Sequence, residues 1–172
     1  YPTMKRSLLT LALVLLIGAS FSQHLTQDFS GSFPPSGWTI ENYTSQWTQV
    51  NSSNAGGTAP ELRFMYTSGS LTTRFISPSI DLTGVANLTL SFKHFVDHYG
   101  SGYTVGVATR SNSGTWNVVW SVSPTADIGP ETKDIIISNG DVGSSTFQFC
   151  FFLSGNAYNI DYWYIDDVVL FT

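Results

Sequence analysis

Apolar and polar residues alternate along most of the chain after residue 23. Between residues 87 and 95, for example, Leu88, Leu90 and Phe92 are separated by polar neighbours. A period of two places alternate side chains on opposite faces of a pleated sheet. The pattern therefore predicts a β-strand with one apolar face here, and further strands at 103–109, 115–121, 146–153 and 162–171.

Two of these strands carry aromatic stripes that indicate how they pack. Within 115–121 the stripe is Trp116, Val118 and Trp120, whereas Phe149 and Phe151 belong to the stripe of 146–153. Large rings on one face of a strand are typical of residues that fill a core between sheets. We therefore expect both strands to pack their aromatic faces inward.

Turn-forming residues separate the strands. Ser113-Gly114 is predicted to link the 103–110 and 115–121 strands as a hairpin, and Asn139-Gly140 is predicted to form a tight turn. The proline-rich segment 33–38 predicts a rigid loop whose Trp38 packs on the strands. Turns at this spacing, without helix signals, predict a sandwich or barrel of antiparallel strands. No internal repeat or linker is visible, so we predict a single domain over residues 23–172.

The first 22 residues have the pattern of a secretory signal peptide. Lys5 and Arg6 precede an apolar run at 8–17, and Ser20 and Ser22 supply small residues before a cleavage point. The apolar run is too short to span a bilayer as an anchor. Residues 1–3 precede Met4 and are left out of the predicted fold. These features predict a secreted or cell-surface protein without membrane insertion after cleavage.

The charge of the chain bears on its partners, and its one cysteine bears on packing. Residues 23–172 hold twelve acidic side chains against five basic ones, a net charge of −7 with histidines neutral. Nucleic acids and anionic membranes bind clustered Lys and Arg, so we expect neither as a partner. Cys150 is the sole cysteine and lies in an apolar stretch, so it is predicted to pack as a small hydrophobic residue.

Six segments together resemble one known domain family. In order they are Asp28-Phe29, 33–38 (FPPSGW), 56–62 (GGTAPEL), 74–78 (RFISP), 88–94 (LTLSFKH) and 163–168 (WYIDDV). Their order and spacing resemble the cleaved-adhesin, or choice-of-anchor J, domains of secreted bacterial proteins, which are related to the MAM domain. The resemblance extends from about residue 27 to residue 171.

This resemblance implies an all-β fold, an antiparallel two-sheet jelly-roll β-sandwich. It also implies frequent calcium binding and a role in adhesion or as an accessory domain on secreted enzymes. Such domains often belong to longer chains, so the sequence is either a free-standing module or part of a larger protein.

A structural Ca²⁺ site is the first candidate for chemistry. Calcium binds six to eight oxygen ligands without strict geometry. Adjacent Asp166 and Asp167 are expected to point to opposite faces of the last strand. If the first and last strands of the sandwich are neighbours, then a site can form from Asp28, Glu61, Asp166 and Asp97. The alternative is that Asp166 caps a neighbouring loop by hydrogen bonding and binds no metal.

Aromatic residues in predicted loops are the second candidate. Exposed rings beside polar groups can stack on a sugar face, although aromatics that only cover the core ends remain the alternative. His94 and His98 could form a zinc pair, but we favour a strand end running into a polar loop, with His98 on a ligand-binding rim. The predicted rim residues are Tyr43, Trp47, Tyr66, His98, Tyr99 and Tyr158.

A binding function is favoured over catalysis. The sequence has no Gly-x-Ser-x-Gly elbow, and its acidic residues are scattered through predicted loops. We therefore expect an adhesin-type module that recognises a glycan or a host or matrix protein. The alternatives are an accessory carbohydrate-binding module of a degradative enzyme and a purely structural surface-layer domain.

Overall fold

The fold is given by a computed structural model, which describes residues 22–172; the predicted signal peptide, apart from Ser22, lies outside the described residues. The described chain is built from strands joined by turns and two short 3-10 helices, Thr44–Gln46 and Ala157–Asn159. The strands are β1 (Gln23–Gln27), β2 (Thr39–Glu41), β3 (Trp47–Val50), β4 (Glu61–Met65), β5 (Ser70–Ile76), β6 (Leu88–His98), β7 (Tyr103–Arg110), β8 (Asn117–Val122), β9 (Ile128–Ile137), β10 (Gln148–Asn156) and β11 (Ile160–Phe171).

Two antiparallel sheets face each other, which confirms the predicted β-sandwich. The first sheet has the order β3-β4-β11-β6-β9, and β1 also pairs with β11. The second sheet has the order β2-β5-β10-β7-β8. The last strand of the chain is therefore a central strand, with β6 on one side and both β4 and β1 on the other.

The core is an aromatic layer between the sheets. Phe151 of β10 packs edge to face on Phe92 of β6 at 5.0 Å and on Trp163 of β11 at 6.0 Å. Trp38 follows the predicted rigid loop and stacks on Phe75 at 5.0 Å, as expected. Burying large apolar side chains stabilises the fold by about 1.5–3 kcal/mol each, so this layer holds the two sheets together.

Alternation predicts most strands correctly. Phe149 and Phe151 face the core, whereas Cys150 lies on the outer face of the second sheet, packed with Ile76 and Ala108. Cys150 is fully buried there, as predicted for a small hydrophobic residue. Both predicted turns form, closed by hydrogen bonds from Gly114 N to Ser111 O and from Val142 N to Asn139 O.

The predicted stripe of Trp116, Val118 and Trp120 is wrong. The pairing of β7 with β8 shifts register, because Val107 pairs with Trp120 while Ala108 pairs with Val118. This bulge adds one residue to β8 and reverses the alternation at that point. Trp120 consequently packs inward on Phe92, whereas Trp116 and Val118 lie on the outer face.

None of the described helices is long and apolar enough to cross a membrane.

Candidate functional site

An interruption in β11 creates the first cluster of carboxylates. The pairing of β11 with β6 shifts register between Asp166 and Val169, and Asp167 adopts a left-handed conformation with φ of 48°. The Asp167 carboxylate bonds the Lys93 ammonium at 2.8 Å, although it is Asp166 that pairs with Lys93 in the ladder. The simple alternation expected for two adjacent strand residues is therefore broken here.

Asp166 is a buried carboxylate with one unpaired oxygen. Its Oδ1 accepts a hydrogen bond from the Asp167 amide at 2.8 Å, whereas its buried Oδ2 has no partner. Burial, together with the charges of Asp167, Glu61 and Asp28, raises the pKa of Asp166 to about 6, although the hydrogen bond from the Asp167 amide lowers it. An ionised carboxylate in such surroundings is costly unless a cation or further donors reach it.

The 54–57 loop covers this carboxylate closely. A Cβ atom at Gly57 would lie 2.0 Å from Asp166 Oδ2, so only glycine fits at that position. Gly56 lies against Pro130 of β9, which shows that the loop crosses the outer face of the first sheet. The loop therefore brings its backbone directly over the unpaired oxygen of Asp166.

Glu61 holds that loop in place. It is fully buried, and its carboxylate accepts hydrogen bonds from Ser52 Oγ, Asn54 N and Ala55 N, each at 2.7 Å. The loop-capping role considered for Asp166 thus belongs to Glu61. Only the remaining lone pairs of Glu61 could contact a cation.

Asp28 completes this cluster from the exposed side. It follows β1, which pairs with the end of β11, so the predicted proximity of the first and last strands is confirmed. Its carboxylate accepts hydrogen bonds from the amide and hydroxyl of Ser30, which lower its pKa. An open groove of ≈ 710 Å³ lies beside it, lined by Thr26, Gln27, Asp28, Ser30, Gly31, Asp167, Val168 and Val169.

The grouping of Asp97 with these residues is wrong. Asp97 pairs with Tyr162 across β6 and β11, four residues along the ladder from the pair of Lys93 with Asp166. Four residues of strand span roughly 13 Å, which is beyond the reach of shared coordination. Within residues 22–172 no three His, Cys, Asp or Glu side chains are grouped so as to hold a metal ion, and any cation at Asp166 would need backbone oxygens or water as well.

Three of the predicted rim tyrosines do meet at one end of the sandwich. Tyr66, Tyr99 and Tyr158 are 46%, 63% and 52% exposed and, with Asp161, line a pocket of ≈ 240 Å³. Tyr158 stands at 90° to both other rings, with centroid distances of 6.3 Å to Tyr66 and 5.8 Å to Tyr99. We call this site the tyrosine pocket. Tyr43 is also exposed but does not line it.

The local fold explains why these rings converge. Tyr66 follows the last residue of β4, and Tyr99 follows the last residue of β6. Tyr158 lies in the 3-10 helix that precedes β11, where Asn156 caps the helix by accepting from the Tyr158 amide. Asn159 accepts hydrogen bonds from the amides of Tyr99 and Gly100 through its carbonyl oxygen. Strand ends and one capped turn thus fix the three positions.

The prediction of Trp47 as an exposed loop residue is wrong. Trp47 begins β3, is 1% exposed and packs on Phe64, Phe75 and Trp163. Its indole N–H donates to Thr73 Oγ1 at 2.9 Å, which satisfies its one polar atom inside the core. Trp47 is therefore a core residue.

The two histidines have separate environments. β6 continues to His98, three residues beyond the end of the strand predicted over 87–95, so the polar loop expected after residue 95 begins later. His94 is fully buried, where Trp163 Nε1 donates to its Nδ1 and its Nε2 lies 3.3 Å from Glu131. Burial lowers the pKa of His94 more than the opposing Glu131 charge raises it. His98 Nδ1 bonds the Tyr103 hydroxyl at 3.1 Å, and His98 does not line the tyrosine pocket.

Two features of the site could not be identified from strand periodicity. The first is Asp161, which lines the tyrosine pocket. The sequence hinted at its role only through its position between a tight turn and an apolar strand. The outer face of the second sheet carries Trp116, with the Arg110 guanidinium over its ring at 4.4 Å and that of Arg74 at 5.8 Å. Because of the bulge in β8, the sequence pattern wrongly predicts that Trp116 faces the core.

Solved structures with a similar fold include two cleaved adhesin domains. The K1 and K3 cleaved adhesin domains of Lys-gingipain from Porphyromonas gingivalis W83 align with TM-scores of 0.62 and 0.61. They are 16% and 17% identical to this chain, and the alignments cover 87% and 88% of it and 98% and 99% of theirs. The chain has the cleaved-adhesin fold.

The same fold also occurs in a carbohydrate-binding module. A family 61 module, solved in complex with β-1,4-galactotriose, aligns with a TM-score of 0.54 at 18% identity, over 78% of this chain and 88% of its own. No family model matches the chain, and no curated protein matches it in sequence. The predicted resemblance to cleaved-adhesin domains is thus confirmed for the fold, and the function has to be argued from the site.

Proposed function

We propose that this protein is an extracellular binding module that holds a glycan in the tyrosine pocket. The observation that carries the proposal is the convergence of Tyr66, Tyr99 and Tyr158 on Asp161. Aromatic rings offer flat apolar surfaces to the C–H faces of sugars, and the carboxylate can accept hydrogen bonds from sugar hydroxyls. The cleaved-adhesin fold and the predicted signal peptide support a role outside the cell.

The size of the site favours a glycan over a protein ligand. A stable protein interface buries about 800 Å² on each partner, usually with a hydrophobic centre. The tyrosine pocket, at ≈ 240 Å³, is smaller than the roughly 300–1,000 Å³ of sites for whole small ligands. It therefore suits one or two residues of a longer chain. The proposed function is therefore recognition of a ligand.

Replacing Tyr99 or Tyr158 with alanine is expected to weaken glycan binding at least tenfold, because each change removes a ring wall of the pocket. The ligand is first identified by applying the purified protein to a glycan array. Affinities are then measured by isothermal titration calorimetry for the protein and both variants.

Tyr43→Ala is the matched control, since it removes another exposed tyrosine, one that does not line the pocket. Its affinity is expected to stay within about twofold of that of the unchanged protein. Equal losses in all three variants would argue against the pocket. An array without hits, together with binding to an extracellular matrix protein, would favour the protein-ligand alternative.

We further propose that Asp166 is a ligand of a structural Ca²⁺ ion, with Asp28 and the backbone of the 54–57 loop as the other contributors. The unpaired Asp166 Oδ2 and the close passage of Gly57 support this proposal. Carboxylate and carbonyl oxygens are the ligands that calcium prefers. Glu61 would act mainly by holding the loop in position.

Removing the charge of Asp166 is expected to have opposite effects with and without calcium. In a chelator, Asp166→Asn should raise the free energy of unfolding at neutral pH by about 1–3 kcal/mol, because a carboxylate with a raised pKa destabilises the ionised folded state. In millimolar calcium the variant should lose the stabilisation that the unchanged protein gains. Thermal melting in both buffers measures these differences.

Asp134→Asn, an exposed acidic residue on β9, controls for loss of net charge and should respond to calcium like the unchanged protein. An unchanged melting temperature of the protein between chelator and calcium would exclude the metal site. Destabilisation of Asp166→Asn in chelator would instead show that the carboxylate is well accommodated without a cation.

A further inference from the structure

The charge around the tyrosine pocket points to a specific class of glycan. Asp161 lines the pocket, and Asp97 lies close enough to both Asp161 and Asp127 for their charges to interact. Burial raises the pKa of Asp97, and the negative charges of Asp161 and Asp127 raise it further. The pKa of the Tyr103 phenol is raised by burial and by the same three carboxylates. These groups thus form one acidic neighbourhood at this end of the sandwich.

No ion pair in residues 22–172 involves Asp97, Asp127 or Asp161. The described ion pairs join Arg74 to Glu41, Lys93 to Asp167 and His94 to Glu131, all elsewhere on the sandwich. Arg63 stacks over the Tyr162 ring at 5.1 Å and donates to Thr48. Asp127 accepts a hydrogen bond from the His98 amide, which leaves its negative charge in place.

Aromatic rings and carboxylates without an ion-pair partner together favour a cationic ligand. The face of a tyrosine ring attracts an ammonium group within about 6 Å of its centre. Three such rings line the same pocket as Asp161, and Tyr158 is perpendicular to the other two, so an ammonium group in the pocket can meet ring and carboxylate at once. A neutral sugar would gain ring contacts and hydrogen bonds to the carboxylate but no ionic attraction, and a sugar acid would be repelled.

We infer that the tyrosine pocket recognises an amino sugar with a free, protonated amine. The inference rests on the proposed glycan-binding function and narrows it to 2-amino-2-deoxy sugars without N-acetylation. The rings pack on the sugar, and its ammonium group is positioned beside Asp161. N-acetylation removes the positive charge and adds bulk, so it eliminates the electrostatic contribution.

The test compares three tetrasaccharides that share a β-1,4-linked backbone. Titration calorimetry at about pH 6, where a sugar amine is protonated, measures affinity for the glucosamine, N-acetylglucosamine and glucose tetramers. The glucosamine tetramer is expected to bind at least tenfold more tightly than the other two. That advantage should decrease as salt is raised from 50 to 500 mM, approximate conditions at which screening of exposed charges becomes strong.

Asp161→Asn is expected to lower the affinity ratio of glucosamine to N-acetylglucosamine tetramer severalfold, because it removes the charge nearest the amine. Asp127→Asn, which keeps an acceptor for the His98 amide, should lower the ratio less. Asp134→Asn on β9 is the matched control and should leave the ratio unchanged. Melting temperatures of all three variants confirm that each is folded.

The outcomes separate this inference from the proposed function. Equal affinity for the three tetramers overturns the amine assignment and leaves glycan binding intact. Binding of none of these tetramers, together with an empty glycan array, overturns both. A lysine-containing peptide that binds more tightly than the glucosamine tetramer shows that the ammonium group belongs to a protein ligand, and it overturns the sugar assignment.

Discussion

Replacing Trp47 with alanine is expected to lower the free energy of unfolding by about 3–5 kcal/mol, the usual cost of truncating a buried tryptophan. The ring contacts Phe64, Phe75 and Trp163, so its removal opens a cavity where both sheets meet. It also leaves Thr73 without a donor in the core. Urea denaturation followed by circular dichroism measures the loss.

Trp47→Phe separates packing from hydrogen bonding at this position. It keeps an aromatic ring and removes the indole N–H, so we expect a smaller loss, of about 1–2 kcal/mol. Glycan affinity of the folded Trp47→Phe variant should equal that of the unchanged protein. A selective loss of affinity without destabilisation would restore Trp47 as a binding residue and contradict its assignment to the core.

The second large effect is expected at Gly155, where the backbone has φ of 113° and passes close to the neighbouring strand. A Cβ atom there would lie 2.5 Å from the carbonyl oxygen of Gly102 and 2.8 Å from the Cα of Tyr103. Gly155→Ala therefore adds overpacking of about 1–3 kcal/mol to backbone strain of about 1–3 kcal/mol. Thermal and urea unfolding measure the total.

Gly69→Ala is the matched control, because Gly69 has φ of 93° but no atom within 4 Å of its added Cβ. It should show only the strain. Gly155 directly precedes the turn that carries Tyr158, so Gly155→Ala should also weaken glycan binding, whereas Gly69→Ala should weaken it less. Equal destabilisation by the two variants would show that β10 and β7 can separate at little cost.

The sheets could be predicted from the sequence where alternation is uninterrupted. Leu88, Leu90 and Phe92 face the core as expected, because β6 itself has no extra residue there and stays in register with β9 from Leu88 to His94. The prediction failed at β8, where a bulge reverses the alternation between Val118 and Trp120. Bulges depend on the pairing of two strands, so neither strand alone reveals them.

The candidate sites were only partly predictable, because the residues of a site lie on different strands whose pairing the sequence does not show directly. The expected proximity of the first and last strands brought Asp28, Glu61 and Asp166 together, and β1 does pair with the end of β11. Trp47 and Tyr43 lie close together in the sequence and were predicted alike, but one begins a strand and the other lies in a turn. Asp97 was wrongly grouped with Asp166 because the distance between residues on two strands depends on the register of the strands. That register cannot be read from the positions of acidic residues in the sequence.

The position of β11 within the first sheet has a consequence for how the chain reaches its native state. β1, β4 and β6 are all neighbours of a strand contributed by the last part of the sequence. Until that strand is available, these three segments have unpaired edges and no common partner, and such edges are prone to pair between molecules. The first sheet can therefore be completed only after residue 171 has been synthesised, through contacts between residues far apart in the sequence, which form slowly.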